Sequence, residues 1–346
     1  MNFISKNDRQ FKANLHAHTT LSDGNLTPEQ SVEAYKAKGY QILALTDHEA
    51  PYAHHRFTTD DFLMLTGYEA YIRPSPECKL DWFGPEIHLN LFAKDPDNLT
   101  FIGYDPNFCK YCSREYAESL PKSRNLGPRR FEPEYIQSFI DCAAENGYLV
   151  SYNHPVWSMD SAENILNLKG CFSLEVFNTG SMMISGYEEN LALYDALLRR
   201  GKFWYLHGAD DNHNPVPLDD PLSDSFGSWT MIAAPELTYP AVIRALEQGR
   251  FYATTGPEIR ELRIEDGKAQ IGCSPAVRIA MHMSPKYCRN VWNPDGSEFD
   301  FAEFEIPEDA PYVYFTVWDK HGKKAHTRAF SREEFSRQTF PSEGDF

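Results

Sequence analysis

Asn14-Leu15-His16-Ala17-His18-Thr19-Thr20-Leu21-Ser22-Asp23-Gly24 is the stretch from which the rest of the chain can be read. The run Phe11 to Leu15 has the composition of a buried strand. Side chains in a strand repeat every two residues, so His16 and His18 at its end point the same way. Ser22-Asp23-Gly24 then breaks the pattern, and Thr27-Pro28-Glu29-Gln30 supplies an N-cap, a proline at the first helical position and an acidic first turn. The helix these residues open is expected to stop at Gly39. Strand, polar turn and helix make one βα unit.

The unit recurs up to about residue 250. Expected strands are Gln41 to Leu45, Phe62 to Leu65, Ile87 to Phe92, Tyr148 to Tyr152, Phe172 to Phe177 and Phe203 to Leu206. Expected helices run from Glu134 to Asn146, Glu188 to Arg200 and Pro240 to Gln248, each closed by a glycine. Such alternation predicts an α/β fold with a largely parallel sheet. Residues 94–132 lack a sustained period and read as an insertion or lid. After Gly256-Pro257 the helical period vanishes, and Glu261 to Ile264, Ala276 to Met283, Phe301 to Ile306 and Tyr312 to Trp318 read as antiparallel strands of a small β-sandwich. The expected division is a barrel over residues 1–256 and an all-β sandwich over 257–346.

In parallel barrels the chemistry sits at the C-terminal ends of the strands. Here those positions carry His16 and His18, then Asp23, then Asp47-His48, then Glu69 after Gly67-Tyr68, then Asn153-His154, and finally Asp210-Asp211-Asn212-His213. His88 lies in the fourth strand. A single histidine in an apolar setting is ordinarily a hydrogen-bonded structural residue. Five strand ends carrying imidazoles and carboxylates are not independent accidents, because without a cation they leave several buried titratable groups unexplained.

At these residues the chain resembles the PHP family, named for polymerase and histidinol phosphatase. The resemblance runs from the opening stretch through Ala44-Leu45-Thr46-Asp47-His48 and Glu69 to Asp211-Asn212-His213, over roughly residues 11–255. It implies a distorted (β/α)7 TIM-like barrel holding two or three divalent metals. His16, His18, Glu69 and Asp211 would surround one metal, Glu69 with His88 and His154 a second, and Asp23, His48 and His213 a third. Gly249 to Pro257 resembles the barrel exit of relatives that carry a β-sandwich.

Imidazole and carboxylate ligands with open positions suit manganese, iron or zinc. Paired metals of this kind activate water against a phosphate ester, so the expected function is a metal-dependent phosphoesterase that uses hydroxide and no protein nucleophile. The expected substrate is a small phosphomonoester such as a nucleotide or sugar phosphate. A phosphodiesterase or an amidohydrolase-like enzyme could use the same cluster. An inert barrel with a glycan-binding sandwich is the reading from another class. His207 and Asp210 flank the last strand end and are candidates for the general acid or for support behind the ligands, with a buried, hydrogen-bonded histidine as the other reading of His207. Among the basic residues of the insertion, Lys110, Arg114, Lys122, Arg124, Arg129 and Arg130, one or two are expected to reach the substrate, and Asn178 either touches it or caps the following turn.

A formal net charge of -17 argues against binding a nucleic-acid duplex, which needs a basic face. It does not argue against a small anion, since bound metals invert the local field. Seven scattered cysteines fit a reducing compartment, and no apolar run is long enough to span a membrane, so cytoplasm is the expected location. Cys109 and Cys112 have zinc-knuckle spacing without a second pair nearby. The sandwich is expected to support the barrel or a homo-oligomer contact.

Overall fold

The computed structural model describes residues 1–74, 84–186 and 189–337. In chain order the strands are β1 (Asn2–Ile4), β2 (Arg9–Asn14), β3 (Ile42–Leu45), β4 (Leu63–Ile72), β5 (Ile87–Ala93), β6 (Tyr148–Tyr152), β7 (Cys171–Asn178), β8 (Tyr205–Ala209), β9 (Trp229–Ala234) and β10 (Phe251–Thr254). Then come β11 (Ile259–Glu265), β12 (Lys268–Ala276), β13 (Arg278–Ser284), β14 (Tyr287–Val291), β15 (Phe299–Glu305), β16 (Tyr312–Trp318), β17 (Lys324–Thr327) and β18 (Phe330–Ser331). The helices are α1 (Pro28–Ala37), α2 (Arg114–Ser119), α3 (Pro133–Glu145), α4 (Ala162–Asn167), α5 (Thr179–Ser185), α6 (Leu191–Arg199), α7 (Tyr239–Glu247) and α8 (Arg332–Arg337). Glu188, expected to open a helix, and residues 338–346 at the end of the expected sandwich lie outside the described residues.

Local chemistry accounts for the elements around the first motif. The Thr27 side chain accepts from the Gln30 amide while the Gln30 side chain accepts from the Thr27 amide, a reciprocal capping box that starts α1 with Pro28 at its first position. Helix α3 buries Tyr135, Ile136, Phe139 and Ile140 against β5 and β6. Each such side chain contributes about 1.5–3 kcal/mol on burial.

Strands β9-β2-β3-β4-β5-β6-β7-β8 are hydrogen-bonded neighbours in that order. Among the described residues no regular ladder joins β8 back to the start of the run. The gap is bridged at the mouth instead: the Asp211 amide donates to His16 O at 2.9 Å and the His18 amide to Asn212 O at 3.1 Å. This is a distorted barrel, filled by Phe11, Leu15, Ile42, Leu65, Phe172 and Phe251 and packed against Val242, Ile243 and Leu246 of α7.

Two strands correct the expectation of a largely parallel sheet. β5 runs antiparallel to both β4 and β6, and β9 runs antiparallel to β2. Burial patterns report which residues are inside and carry no information on strand direction. The reversal of β5 matters for the site, since it brings the start of that strand, and with it His88, to the end of the barrel where β4 and β6 finish.

The smaller sheet has the order β1-β11-β12-β15 and packs on β14-β13-β16-β17 around Phe3, Leu262, Ile271, Met281, Phe304 and Phe315. β10 pairs with β9 on one side and β17 on the other, so one sheet of the sandwich is continuous with the barrel wall. β1 belongs to the sandwich through β11, although it precedes the barrel in sequence and fell within the expected barrel segment. Tyr312 and Tyr314 are buried, the first against the Asp195 carboxylate, consistent with packing. The insertion is ordered too: α2 folds with Phe101, Cys112, Ala117 and Leu120 into a small core beneath Ala50.

Candidate metal centre

The loop carrying the first motif is tied down before any ligand is considered. Asp47 accepts from the Thr19 amide at 2.7 Å, the Thr19 hydroxyl at 2.8 Å and the Ser22 hydroxyl at 2.8 Å, fixing the segment between His18 and Asp23. On the other side of the mouth Asp224 accepts from the His213 amide at 2.6 Å and the Asn214 amide at 3.1 Å. Glu49, His154 and Asp211 all have positive φ (77°, 23° and 52°), and three strained non-glycine residues at one rim mark a place where backbone comfort has been given up for geometry.

On this frame the nine expected ligands converge. His16 Nε2 lies 3.1 Å from both Glu69 Oε1 and Asp211 Oδ1. His18 Nε2 lies 3.0 Å from Asp211 Oδ1, 3.3 Å from Glu69 Oε2 and 3.2 Å from His16 Nε2. Asp23 sits 3.5 Å from His48 Nε2 and 3.4 Å from His213 Nε2. Glu69 is the hub: its Oε1 is 3.1 Å from His88 Nδ1 and 3.3 Å from His154 Nε2, and its Oε2 is 3.1 Å from His48 Nδ1. One detail differs from the implied grouping. His48 joins Glu69 and His88 in one cluster as well as Asp23 and His213 in another, while His154 clusters with His16 and Glu175.

The donor set fits divalent cations. Tetrahedral ligands about 2.0–2.2 Å from a common zinc-like ion lie roughly 3.3–3.6 Å from one another, close to the spacings here. The Nε2 atoms of His16 and His18 face each other, which leaves room for one proton or one cation between them. His48 Nδ1 is buried and makes no hydrogen bond, despite its closeness to Glu69. An atom near a carboxylate but misaligned for hydrogen bonding is what a shared ion would explain.

The electrostatics point the same way. Burial opposes the charge on His18, yet its bonds to Asp211 and Glu69 carry its pKa up to about 10. Burial likewise opposes the charge on His88, and Glu69 and Glu86 overcome it, again to about 10. Burial and the neighbouring His18 push His48 down to about 3. Glu69 is fully buried, which alone would raise its pKa, but His16, His88 and His48 pull it well below the usual carboxylate range. Apart from cations the cluster can only share protons, and divalent ions would displace them on binding.

Three residues around the ligands escaped the sequence reading of the metal site. Glu175 falls within the expected strand Phe172 to Phe177 with no site role, yet its Oε1 accepts from His16 Nδ1 at 3.0 Å while Oε2 accepts from the His154 amide at 2.9 Å. It thereby fixes the His16 tautomer with Nε2 free for a metal. Asn153 donates to Glu69 at 2.8 Å. Glu86 lies 3.8 Å from His88 Nε2 on the cavity wall. Their carboxylate or amide chemistry was visible, but their reach across strands was not.

Of the expected catalytic and substrate residues, Lys110 lines the cavity over the ligands and the others fall elsewhere. Asp210 is fully buried and accepts from the hydroxyls of Tyr35 and Thr179, each at 2.7 Å, and from the amides of Phe226, Gly227 and Ser228. Burial holds its pKa at about 6 against those donors. With both oxygens filled and no access to the cavity, it pins the loop before β9. His207 is also fully buried, 3.4 Å from Ser151 Oγ and 3.9 Å from Glu175, behind the ligands and away from the cavity. Burial and His16 depress its pKa to about 4. Asn178 donates to Glu175 at 2.8 Å and Asp211 at 3.1 Å and caps α5 through the Ser181 amide. Arg129 is buried, donating to Tyr71 O at 2.7 Å and Gly103 O at 3.3 Å, and Arg130 pairs with Glu132 at the surface.

A cavity of about 650 Å³ opens over the cluster. Its floor is Asp23, His48, Glu69, His88, His154, Asp211 and His213. Arg73 and Lys110 are the cations on its wall among the described residues, with Tyr111, Trp157 and Ile184 as its aromatic and apolar faces. The Tyr111 ring stacks on His48 at 4.8 Å, and Trp157 lies edge-on to His88 at 5.1 Å and His154 at 4.9 Å.

The chain is similar to known proteins over parts of its length. Over 116 residues the chain is 31% identical to the 5′-3′ exoribonuclease Rnm of Salmonella typhimurium and 30% identical to that of Escherichia coli. The match covers 33% of this chain and 39% of either relative, so it spans about two fifths of their length. Among solved structures, a two-domain protein of Bacteroides vulgatus containing a predicted PHP-like metal-dependent phosphoesterase aligns over 94% of this chain and 96% of its own, at 13% identity and a TM-score of 0.46. An amidohydrolase of Chromobacterium violaceum with bound sulfate and no metal aligns over 69% of this chain and 96% of its own, at 17% identity and a TM-score of 0.37. The family model described as the PHP domain matches residues 14–173, a span that holds seven of the nine ligands from His16 to His154. Over residues 14–173, then, the chain is similar to the PHP domain.

Proposed function

We propose that this chain hydrolyses phosphate esters, with His16, His18, Asp23, His48, Glu69, His88, His154, Asp211 and His213 holding two or three divalent cations. The observation that carries this reading is the convergence of these groups on Glu69 and Asp211 at the floor of one cavity. Bound there, manganese, iron or zinc would supply Lewis-acid and water-activating chemistry. The chain's own residues do the rest. Glu175, Asn178 and Asn153 orient the ligands, and Arg73 and Lys110 offer positive charge to phosphate oxygens. Trp157 and Ile184 offer an apolar face to the remainder of the substrate.

The favoured substrate is a small phosphomonoester. The cavity volume falls within the range of small-molecule sites, and the net charge of -17 disfavours a long polyanion. A second reading, cleavage at the end of an RNA strand, is favoured by the likeness to the two exoribonucleases. Purified chain loaded with manganese, iron or zinc should be assayed on nucleoside monophosphates, sugar phosphates, bis-p-nitrophenyl phosphate, an amide panel and a 5′-phosphorylated oligoribonucleotide. Release of inorganic phosphate from monoesters is the expected result. Stepwise release of mononucleotides from the oligomer would replace the first reading with the second, and activity confined to amides would remove both.

A further inference from the structure

The insertion holds a group of reactive side chains that the metal centre does not use. Cys109 and Cys112 bring their sulfurs within 4.8 Å of one another and of a Glu49 carboxylate oxygen. The arrangement invites a zinc reading, but Glu49 is already occupied. Its oxygens accept from the amides of Lys110, Tyr111 and Cys112 at 2.6, 2.9 and 3.2 Å and from the Tyr71 hydroxyl at 3.0 Å. Structural zinc takes four ligands, and the described residues offer only these three.

What the pair does have is the layout of a two-step thiol reaction. Cys109 is half-buried and Cys112 buried, so an oxidant meets the first and the second stands behind it. The nearby Cys112 thiol lowers the Cys109 pKa, while Cys109 and burial raise that of Cys112, which makes Cys109 the better nucleophile. Both residues between them are part of the cavity wall: Lys110 lines it, and Tyr111 lines it while stacking on His48.

We propose that Cys109 and Cys112 are a reversible dithiol–disulfide site that couples the redox state of low-molecular-weight thiols to the shape of the cavity wall. The Cys109 thiolate attacks a small disulfide of the glutathione type, forming a mixed disulfide and expelling one thiolate. The Cys112 thiolate then attacks the Cys109 sulfur, forming the protein disulfide and expelling the second. The two electrons pass to the small disulfide, and the two cysteine protons end on the two thiols released. Closing the sulfurs to about 2.05 Å tightens the turn between them and shifts Tyr111 against His48.

The test has a readout that does not depend on the hydrolase reading. Metal-loaded protein is equilibrated with mixtures of reduced and oxidised glutathione, quenched by alkylation, digested and mapped by mass spectrometry. The expected result is a bridge joining Cys109 to Cys112 that dithiothreitol removes. Activity on the best phosphate ester should fall by about tenfold or more on bridging and return on reduction, as expected for a wall displaced by a fraction of an ångström. C109S/C112S should keep its basal rate and lose the response. Failure to form the bridge overturns the proposal, as does an equal loss of activity in C109S/C112S, which would assign the effect to another cysteine. A zinc content lower by one equivalent in C109S/C112S, with unreactive thiols in the parent, overturns it in favour of a metal knuckle. If no substrate is turned over, the mapped bridge still decides whether the site exists.

Discussion

Asp210, directly after β8, and Glu175, on the neighbouring β7, show how far two carboxylates can diverge in role. Asp210 has five donors and no view of the cavity, and Glu175 has one oxygen on a ligand imidazole. Glu175→Gln keeps the shape and weakens the hold on His16, so metal affinity or kcat/KM should fall by about 10–100-fold with little change in Tm. Asp210→Asn should do the opposite: it replaces an acceptor with a donor facing buried amides, costing on the order of 2–4 kcal/mol of stability. The pH profile of its kcat should match that of the parent, and loss of the acidic or basic limb would restore Asp210 as a proton donor. The ligands were legible from sequence because histidine and carboxylate at a strand end already imply their chemistry. Glu175 was not, since its meaning arises only when β7 is laid beside a residue some 160 positions earlier.

Among the elements, the turn after β2 is the most constrained. A Cβ on Gly24 would stand 2.5 Å from the carbonyl carbon and oxygen of His18. Gly24→Ala should therefore push the Ser22–Asp23 turn off the strand and displace Asp23 from His48 and His213, while the barrel stays folded. Metal analysis should find a loss confined to the site those three residues share, with the parent's circular dichroism spectrum. Elements with strong local signals were readable to within a few residues: the Thr27 cap, the α3 stripe, and β6 and β16 to the residue. β9 and β10 were missed, and β5 was found but without its direction. These strands are set by which neighbour they pair with, and no local pattern encodes that.

At the scale of the molecule, barrel and sandwich are joined by more than the shared sheet. Glu189 receives Lys324 at 2.9 Å and His326 at 3.1 Å, both from β17, and Tyr194 of α6 accepts from the Ala329 amide. Burial opposes the charge on Glu189, but His326 and Lys324 prevail and hold its pKa at about 2. A depressed carboxylate stabilises the fold above its unfolded pKa of about 4.5 and loses that contribution as pH falls toward 2. Glu189→Gln should thus lower Tm at pH 7 by an amount equivalent to on the order of 2 kcal/mol, and the gap should close between pH 4.5 and 2. Scanning calorimetry over that range measures it, and a gap that persists at pH 2 would assign the loss to packing.

The place of β1 in the sandwich has a consequence for biosynthesis. On the ribosome this strand emerges roughly 250 residues before β11, the edge it must join. While the barrel forms beside it, Phe3 and Ile4 have no apolar home, and the small sheet cannot be finished until β11 arrives. The two halves are therefore sewn together by the order of synthesis: a fragment cut at Gly256 would leave each product exposing a seam, one an orphan strand and the other an uncovered sheet edge.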